Sequence, residues 1–374
     1  MTKERLKYID LFSGIGGFRQ ALELLAKDLN IATQCVAFSE IDKYAITSYK
    51  ANYNTNNEIE LGDIELFVQD TQRIKDLPDF DIVFGGFPCQ PFSMMGKQLG
   101  LKDERGGLFF SVMKLVDIKK PKYILLENVR NLYTHDKGST YQQLKNELEE
   151  HGYTVQEEVL NTSDFGLPQH RRRLYIFASR KDLSTPTDML NAQYIQEHFS
   201  KLKNRSINTY LDVMDGILDQ DRVEDKYYLS EKIKPTILSN GTKNFKSNSQ
   251  INQLIARPLT ATMVKMHRAC QDNYYSQEFL DADCQTSYLK NNFSKEEEAT
   301  HNIRKLTPWE TLKLQGFDND FFINSSKAGV SNHQLYKQAG NAVSVNTVYT
   351  ILDYIVNTKN ATLNPLKFTN EIRL

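Results

Sequence analysis

Between residues 8 and 180, short apolar runs alternate with helical stretches, and glycine, proline or an acidic residue ends each run. Tyr8-Ile9-Asp10-Leu11-Phe12 gives way to Ser13-Gly14-Ile15-Gly16-Gly17-Phe18, and Val36-Ala37-Phe38-Ser39 to Glu40-Ile41-Asp42. Asp81-Ile82-Val83-Phe84 gives way to Gly85-Gly86-Phe87-Pro88, and Tyr123-Ile124-Leu125-Leu126 to Glu127-Asn128-Val129. Further strands are expected over 153–160 and 173–179, with helices from Arg19 to Leu29, over 108–118 and over 138–151. Strands alternating with helices close into a mostly parallel sheet covered on both faces, so the expected class is α/β. Such sheets bind ligands outside the carboxyl ends of their strands, which makes the terminating residues the candidate functional ones.

One terminator carries a thiol. Cys89 lies in Gly85-Gly86-Phe87-Pro88-Cys89-Gln90-Pro91-Phe92-Ser93, where the glycines and Pro88 stop a strand and expose backbone. A cysteine attacks as thiolate, so a reactive one sits partly exposed near positive charge. Arg171-Arg172-Arg173 is a candidate for that charge, and Glu127 places a carboxyl at a neighbouring strand end. Taken singly, a cysteine is most often a small buried hydrophobe, a Glu after a strand a surface or capping group, and an arginine run a solvated turn. Their joint occurrence at strand ends favours chemistry.

The turn Ser13 to Phe18 opens a helix, and its glycines let a ligand approach main-chain amides. Alone, such a turn serves strand-to-helix packing equally well. Glu40 ends the next strand at roughly the separation from the glycines at which α/β folds set a carboxylate on ribose hydroxyls. Leu61-Gly62-Asp63-Ile64 adds a second acid, suited to accept from an adenine amino group. A nucleoside-containing cofactor is the expectation.

With 374 residues, two domains are expected. No apolar run reaches the length of a membrane span, and Met1 to Arg5 leads into no secretory segment, so a soluble cytoplasmic protein is expected. Cys35, Cys89, Cys270 and Cys284 are widely spaced and form no CxxC pair, which argues against a zinc ribbon and a disulfide framework; no metal is expected. The formal net charge is −1, so attraction to a polyanion must come from local basic surface.

In order, Asp10 to Phe18, Ser39 to Asp42, Gly62 to Ile64, Gly85 to Ser93, Glu127 to Val129 and Gln169 to Arg173 resemble the motifs of bacterial DNA (cytosine-5)-methyltransferases. Arg304 to Glu310, Leu314 to Phe317 and Tyr336 to Val343 extend the resemblance, which spans the chain except for roughly 183–300. It implies a Rossmann-like sheet that binds S-adenosylmethionine and releases S-adenosylhomocysteine. Phe12 would pack on adenine, Gly14, Gly16 and Gly17 would pass the methionine part, and Glu40 and Asp63 would hold ribose and adenine. Ile15, Ile41, Ile64, Pro88 and Ala342 would line the same pocket, to which Asn341 would return. Cys89 would be the nucleophile, Glu127 would stabilise N3 and Arg173 the O2 side of a flipped cytosine. Gln90 and Ser93 would belong to the closing loop, with Asn128 in the catalytic set and Arg171 there as a phosphate or loop anchor.

The expected layout is a catalytic domain of 1–182 plus 335–374, a smaller target-recognition domain of 183–303 and a connection of 304–334. Within the second, Ala256 to Arg268 mixes donors with small residues, suited either to reading guanine edges or to meeting phosphates alone. The resemblance implies double-stranded DNA as partner, a monomer, and a cognate restriction endonuclease acting separately. Two competing readings are a transfer-RNA cytosine-5 methyltransferase and a non-catalytic DNA- or cofactor-binding protein on the same fold.

Overall fold

The computed structural model describes residues 5–88, 107–183, 190–242 and 245–357. By internal contacts the chain divides into a unit of Met1–Asn161, Arg172–Ile207 and Val343–Leu374 and a unit of Thr162–Arg171 and Asn208–Ala342. These borders differ from the sequence expectation for physical reasons. Residues 192–207 stay with the first unit because Asp353 ion-pairs with His198 (2.6 Å) and Arg205 (3.6 Å), and Asp28 accepts from Ser206. Residues 304–342 stay with the second, where buried Arg304 pairs with buried Glu310 at 2.8 Å and donates to the Asp219 carbonyl.

The first unit is built on a seven-stranded sheet of order β3-β2-β1-β4-β5-β7-β6. The strands are β1 (Leu6–Leu11), β2 (Thr33–Ser39), β3 (Ile59–Glu60), β4 (Ile82–Gly86), β5 (Tyr123–Val129), β6 (Tyr153–Asn161) and β7 (Arg172–Arg180). The pairings of β1 with β2 and β4, of β2 with β3 and of β4 with β5 are parallel, and β7 runs antiparallel to both β5 and β6. Ile9, Leu11, Val83, Ile124, Leu126 and Ile176 carry one buried face into the core with Val112, Leu115 and Val116 of the helix Leu108–Lys119. The helices Gly17–Leu29 and Val345–Asn357 pack together. Chain order reverses between β1 and β4, so the switch point of the sheet lies at Leu11 and Gly86, and the start of antiparallel β7 reaches the same edge through the pairing of Arg173 with Val129.

The second unit has little regular structure. Tyr274–Ser276 pairs antiparallel with Ile303–Lys305, and Leu229, Ile237, Leu238, Ile251, Ala269, Tyr274 and Ile303 form its core. Capped short helices follow, among them Pro308–Lys313, where Thr307 and Glu310 cap each other. Among the described residues, no helix is long and apolar enough to cross a membrane.

Candidate active site

At the switch point the chain leaves β1 under strain. Phe12 adopts a left-handed φ of 51°, a conformation that costs a non-glycine residue about 1–2 kcal/mol. β1 therefore ends at Leu11, one residue before the expected strand end, and the partly buried Phe12 ring packs against the core. Gly14 has φ 53°, and a Cβ there would make only ordinary contact, 4.0 Å from the Phe12 carbonyl oxygen, among the described residues. Gly16 and Gly17 answer to protein packing: a Cβ would come within 2.5 Å of the Tyr53 ring and 2.6 Å of Val343 Cγ2, respectively. Ile15 is buried beneath the turn.

Glu40 ties this turn to the end of β2. Its Oε2 accepts from the Gly14 amide at 2.8 Å, and Oε1 accepts from the amides of Ile41 and Asp42, each at 2.8 Å. A carboxylate oxygen has two acceptor sites, so these bonds leave one, on Oε2, for a hydroxyl donor. Ile41 beside it is 75% exposed. Asp63 caps the short helix Ile64–Phe67 by accepting from the Glu65 amide at 2.9 Å, while Ile64 is buried.

A charged layer beneath the turn is absent from the sequence expectation. Arg19 lies over the Tyr53 ring at 4.5 Å, bonds Glu58 and Glu23, and reaches the Tyr49 hydroxyl. The Tyr53 hydroxyl donates to the Gly16 carbonyl at 3.1 Å. Asp10 is fully buried and accepts from the Tyr49 hydroxyl. Burial pushes its carboxyl up to about 8, against the opposing pull of the Arg19 charge. Its signal in the sequence is an acid inside an apolar strand.

β4 and β5 position the second half of the site. Their register sets Gly86 beside Glu127, and a Cβ on Gly86 would lie 3.5 Å from Glu127 Oε2. Glu127 is 8% exposed and its Oε1 is 3.0 Å from Arg173 Nε, an ion pair made possible by the antiparallel return of β7. Arg173 also donates to the Arg172 carbonyl. Asn128, 1% exposed, donates from Nδ2 to the Phe87 carbonyl at 2.8 Å and accepts from the Val129 amide. Pro88 is exposed; Cys89, Gln90 and Ser93 lie outside the described residues.

Three expected site residues belong to the second unit. Arg171 is 2% exposed and donates to the carbonyls of Leu259, Gly340 and Ala342, so its guanidinium is buried on main chain. Asn341 ends the helix Asn332–Asn341 and is exposed, whereas Ala342 is buried. In the Ala256 to Arg268 segment, Arg257 is tied down by donation to the Ala269 carbonyl at 2.9 Å. A cavity of about 380 Å³ beside it is lined by Arg257, Thr260, Thr262, His267 and Gln271, among others.

Residues 6–357, which span both units, match the model of the C-5 cytosine-specific DNA methylases. The chain belongs to that family. This methyltransferase is 36% identical to the type II methyltransferase M1.ScrFI of Lactococcus lactis subsp. cremoris, over 93% of its own length and 77% of the relative's. It is 35% identical to M.HaeII of Haemophilus aegyptius (95% and 94% covered) and 34% identical to M.HhaI of Haemophilus parahaemolyticus (96% and 95% covered). Its fold is similar to that of the S. pombe Dnmt2 methyltransferase crystal structure, with a TM-score of 0.68 at 21% identity over 97% of this chain and 100% of that one. The enzyme is thus a DNA cytosine-5 methyltransferase with a Rossmann-like sheet.

Proposed function

We propose that this methyltransferase modifies C5 of cytosine in a specific sequence of double-stranded DNA, through a covalent bond between Cys89 and C6 of a base flipped out of the helix. The observation that carries the reading is the Glu127–Arg173 pair at 3.0 Å, at the strand edge from which the chain continues to Cys89. The residues of the first unit fit S-adenosylmethionine: Glu40 retains one acceptor site for a ribose hydroxyl, Ile41 offers an exposed apolar face, and Phe12 is held in a costly conformation at the strand end. Asp63 has one oxygen engaged in a cap and a second for an adenine amino group. When bound, S-adenosylmethionine supplies a sulfonium-borne methyl group to C5 and leaves as S-adenosylhomocysteine.

C5 of cytosine is a poor nucleophile. Extrusion of the base costs a few kcal/mol and exposes C6 to attack. Addition of the Cys89 thiolate forms the S–C6 bond and turns the ring into an enamine, nucleophilic at C5. Glu127 shares a proton with N3, and Arg173 holds both that carboxyl and the O2 side, so charge developing in the ring meets fixed partners in a water-poor site. Asn128 fixes the main chain that leads to Cys89. Once C5 is methylated, loss of its proton and breakage of the S–C6 bond restore the aromatic ring and the thiolate.

The second unit is the candidate reader of DNA sequence, with Thr262 and Lys265 exposed in the segment Ala256 to Arg268. The type II methyltransferases among the relatives support a place in a restriction-modification system; on this reading the enzyme protects cytoplasmic DNA as a monomer acting apart from any endonuclease. The reading is tested by transfer of labelled methyl from S-adenosylmethionine to mixed-sequence duplex DNA, with base-resolution mapping of the product. 5-Methylcytosine at one short repeated context is expected; transfer to transfer RNA alone would overturn the DNA reading.

A further inference from the structure

The second unit holds one residue by both of its main-chain polar groups. The Leu259 amide donates to Gln169 Oε1 at 3.0 Å, and the Leu259 carbonyl accepts from Arg171 Nη1 at 3.1 Å. Gln169 is fully buried, and its Nε2 donates to the Leu314 carbonyl at 2.9 Å. Arg171 also reaches the carbonyls of Gly340 (3.2 Å) and Ala342 (2.8 Å). The segment carrying both side chains is itself pinned, since the His170 amide donates to the Ala256 carbonyl and the Ala256 amide to the Pro168 carbonyl, each at 2.8 Å. From another side Gly340 presses on the next peptide: a Cβ there would lie 2.2 Å from the Thr260 carbonyl carbon and 2.3 Å from the Ala261 nitrogen.

Main chain at 259–261 is therefore fixed by groups outside the loop it begins. None of these bonds uses a side chain of residues 260–268, and Thr262 and Lys265, both exposed, project from a main chain with a set origin. Base-edge readout demands such placement, because a contact displaced by about half an ångström loses its directional hydrogen bonds. Burial of a guanidinium and an amide on main-chain carbonyls is also costly unless every bond is made, which gives the clamp a single geometry.

We propose that Gln169 and Arg171, together with Gly340, are specificity-positioning residues that set the register of the 260–268 segment on DNA. This rests on the reading of the protein as a sequence-specific DNA methyltransferase. The test uses full-length Gln169→Met, which keeps side-chain length and removes both bonds, and Gly340→Ala. Initial rates are measured on oligonucleotide duplexes bearing the wild-type site and its single-base-pair variants, alongside S-adenosylhomocysteine affinity and hydrogen exchange at the Leu259 amide.

The expected result is a loss of discrimination between site and variants of about tenfold, with a raised KM for DNA and faster Leu259 exchange. The kcat on the wild-type site and the cofactor affinity should change little. Gln169→Glu, whose buried carboxyl reproduces both bonds when protonated, should recover discrimination as pH falls, and this arm stands if Gln169→Met fails to fold. Equal loss of kcat/KM on every duplex with discrimination intact would overturn the inference and leave the methyltransferase reading standing. Absence of site-specific methylation by the wild type would instead remove that reading, and the inference with it.

Discussion

The Asn128 side chain donates to the Phe87 carbonyl at 2.8 Å, bridging the end of β5 to the main chain that leaves β4. Two residues after Phe87 the chain reaches Cys89. The bond thus connects the strand that bears Glu127 with the segment that bears the proposed nucleophile.

Asn128→Ala should leave the buried Phe87 carbonyl without its donor, at a cost of about 1–3 kcal/mol in stability. A misplaced nucleophile lowers kcat more than substrate binding, so about a tenfold to hundredfold fall in single-turnover rate is expected, with little change in cofactor affinity. Urea unfolding and rapid-quench methyl transfer check the two parts. A single-turnover rate equal to wild type would mean that the bond serves stability alone.

Glu127→Gln keeps the volume of the side chain beside Gly86 and removes its ionisable proton and its ion pair with Arg173. Loss of proton sharing at N3 should reduce kcat by about a hundredfold or more. Binding of S-adenosylhomocysteine, measured by calorimetry, should be retained.

Gly17→Ala should destabilise the first unit, because its Cβ would lie 2.6 Å from Val343 Cγ2 and 3.0 Å from the Val343 carbonyl oxygen. Overpacking of that kind costs about 1–3 kcal/mol. Gly62→Ala meets no atom of the described residues within 4 Å and is strained by its φ of 66°, so its cost should stay near 1 kcal/mol. Denaturant midpoints of the two variants give the comparison.

Asp10 makes stability fall with rising pH. Its folded-state carboxyl titrates at about 8 because of burial, far above the ordinary 3.8, with Arg19, Tyr49, Glu58 and Glu40 as the groups acting on it. The folded state therefore holds one more proton than the unfolded state between those values. The stabilisation is complete at acid pH and is lost as pH rises towards 8, at a slope of about 1.4 kcal/mol per pH unit. Asp10→Asn should flatten unfolding free energy against pH over that window; an unchanged slope would assign it to other groups, of which Glu58, also raised by burial, is the nearest.

The sheet was legible because β-branched and aromatic runs such as Val83-Phe84 and Tyr123 to Leu126 end abruptly at glycine or an acid, and the residues at those ends form the candidate site. Glu127 and Arg173 were each expected in the site, Arg173 on the O2 side only through the family resemblance, but their ion pair was not, since the antiparallel return of β7 has no local signal. Arg171 was expected to anchor a phosphate or loop, and its acceptors, the carbonyls of Leu259, Gly340 and Ala342, are distant in sequence and gave no signal there. Main-chain acceptors carry no residue code, which also hid the role of Asn128. The unit borders escaped because Thr162–Arg171 leaves and rejoins the first unit between two strands of one hairpin.

The central claim is the bond between Cys89 and the cytosine ring. Duplex DNA carrying 5-fluorocytosine in place of cytosine blocks the last step, because fluorine cannot leave as the C5 proton does. Wild-type protein with S-adenosylmethionine should give a complex that survives denaturing electrophoresis and maps to Cys89, and Cys89→Ala should give none. A stable complex with the alanine variant, or methyl transfer to cytosine DNA by that variant at the wild-type rate, would contradict the account.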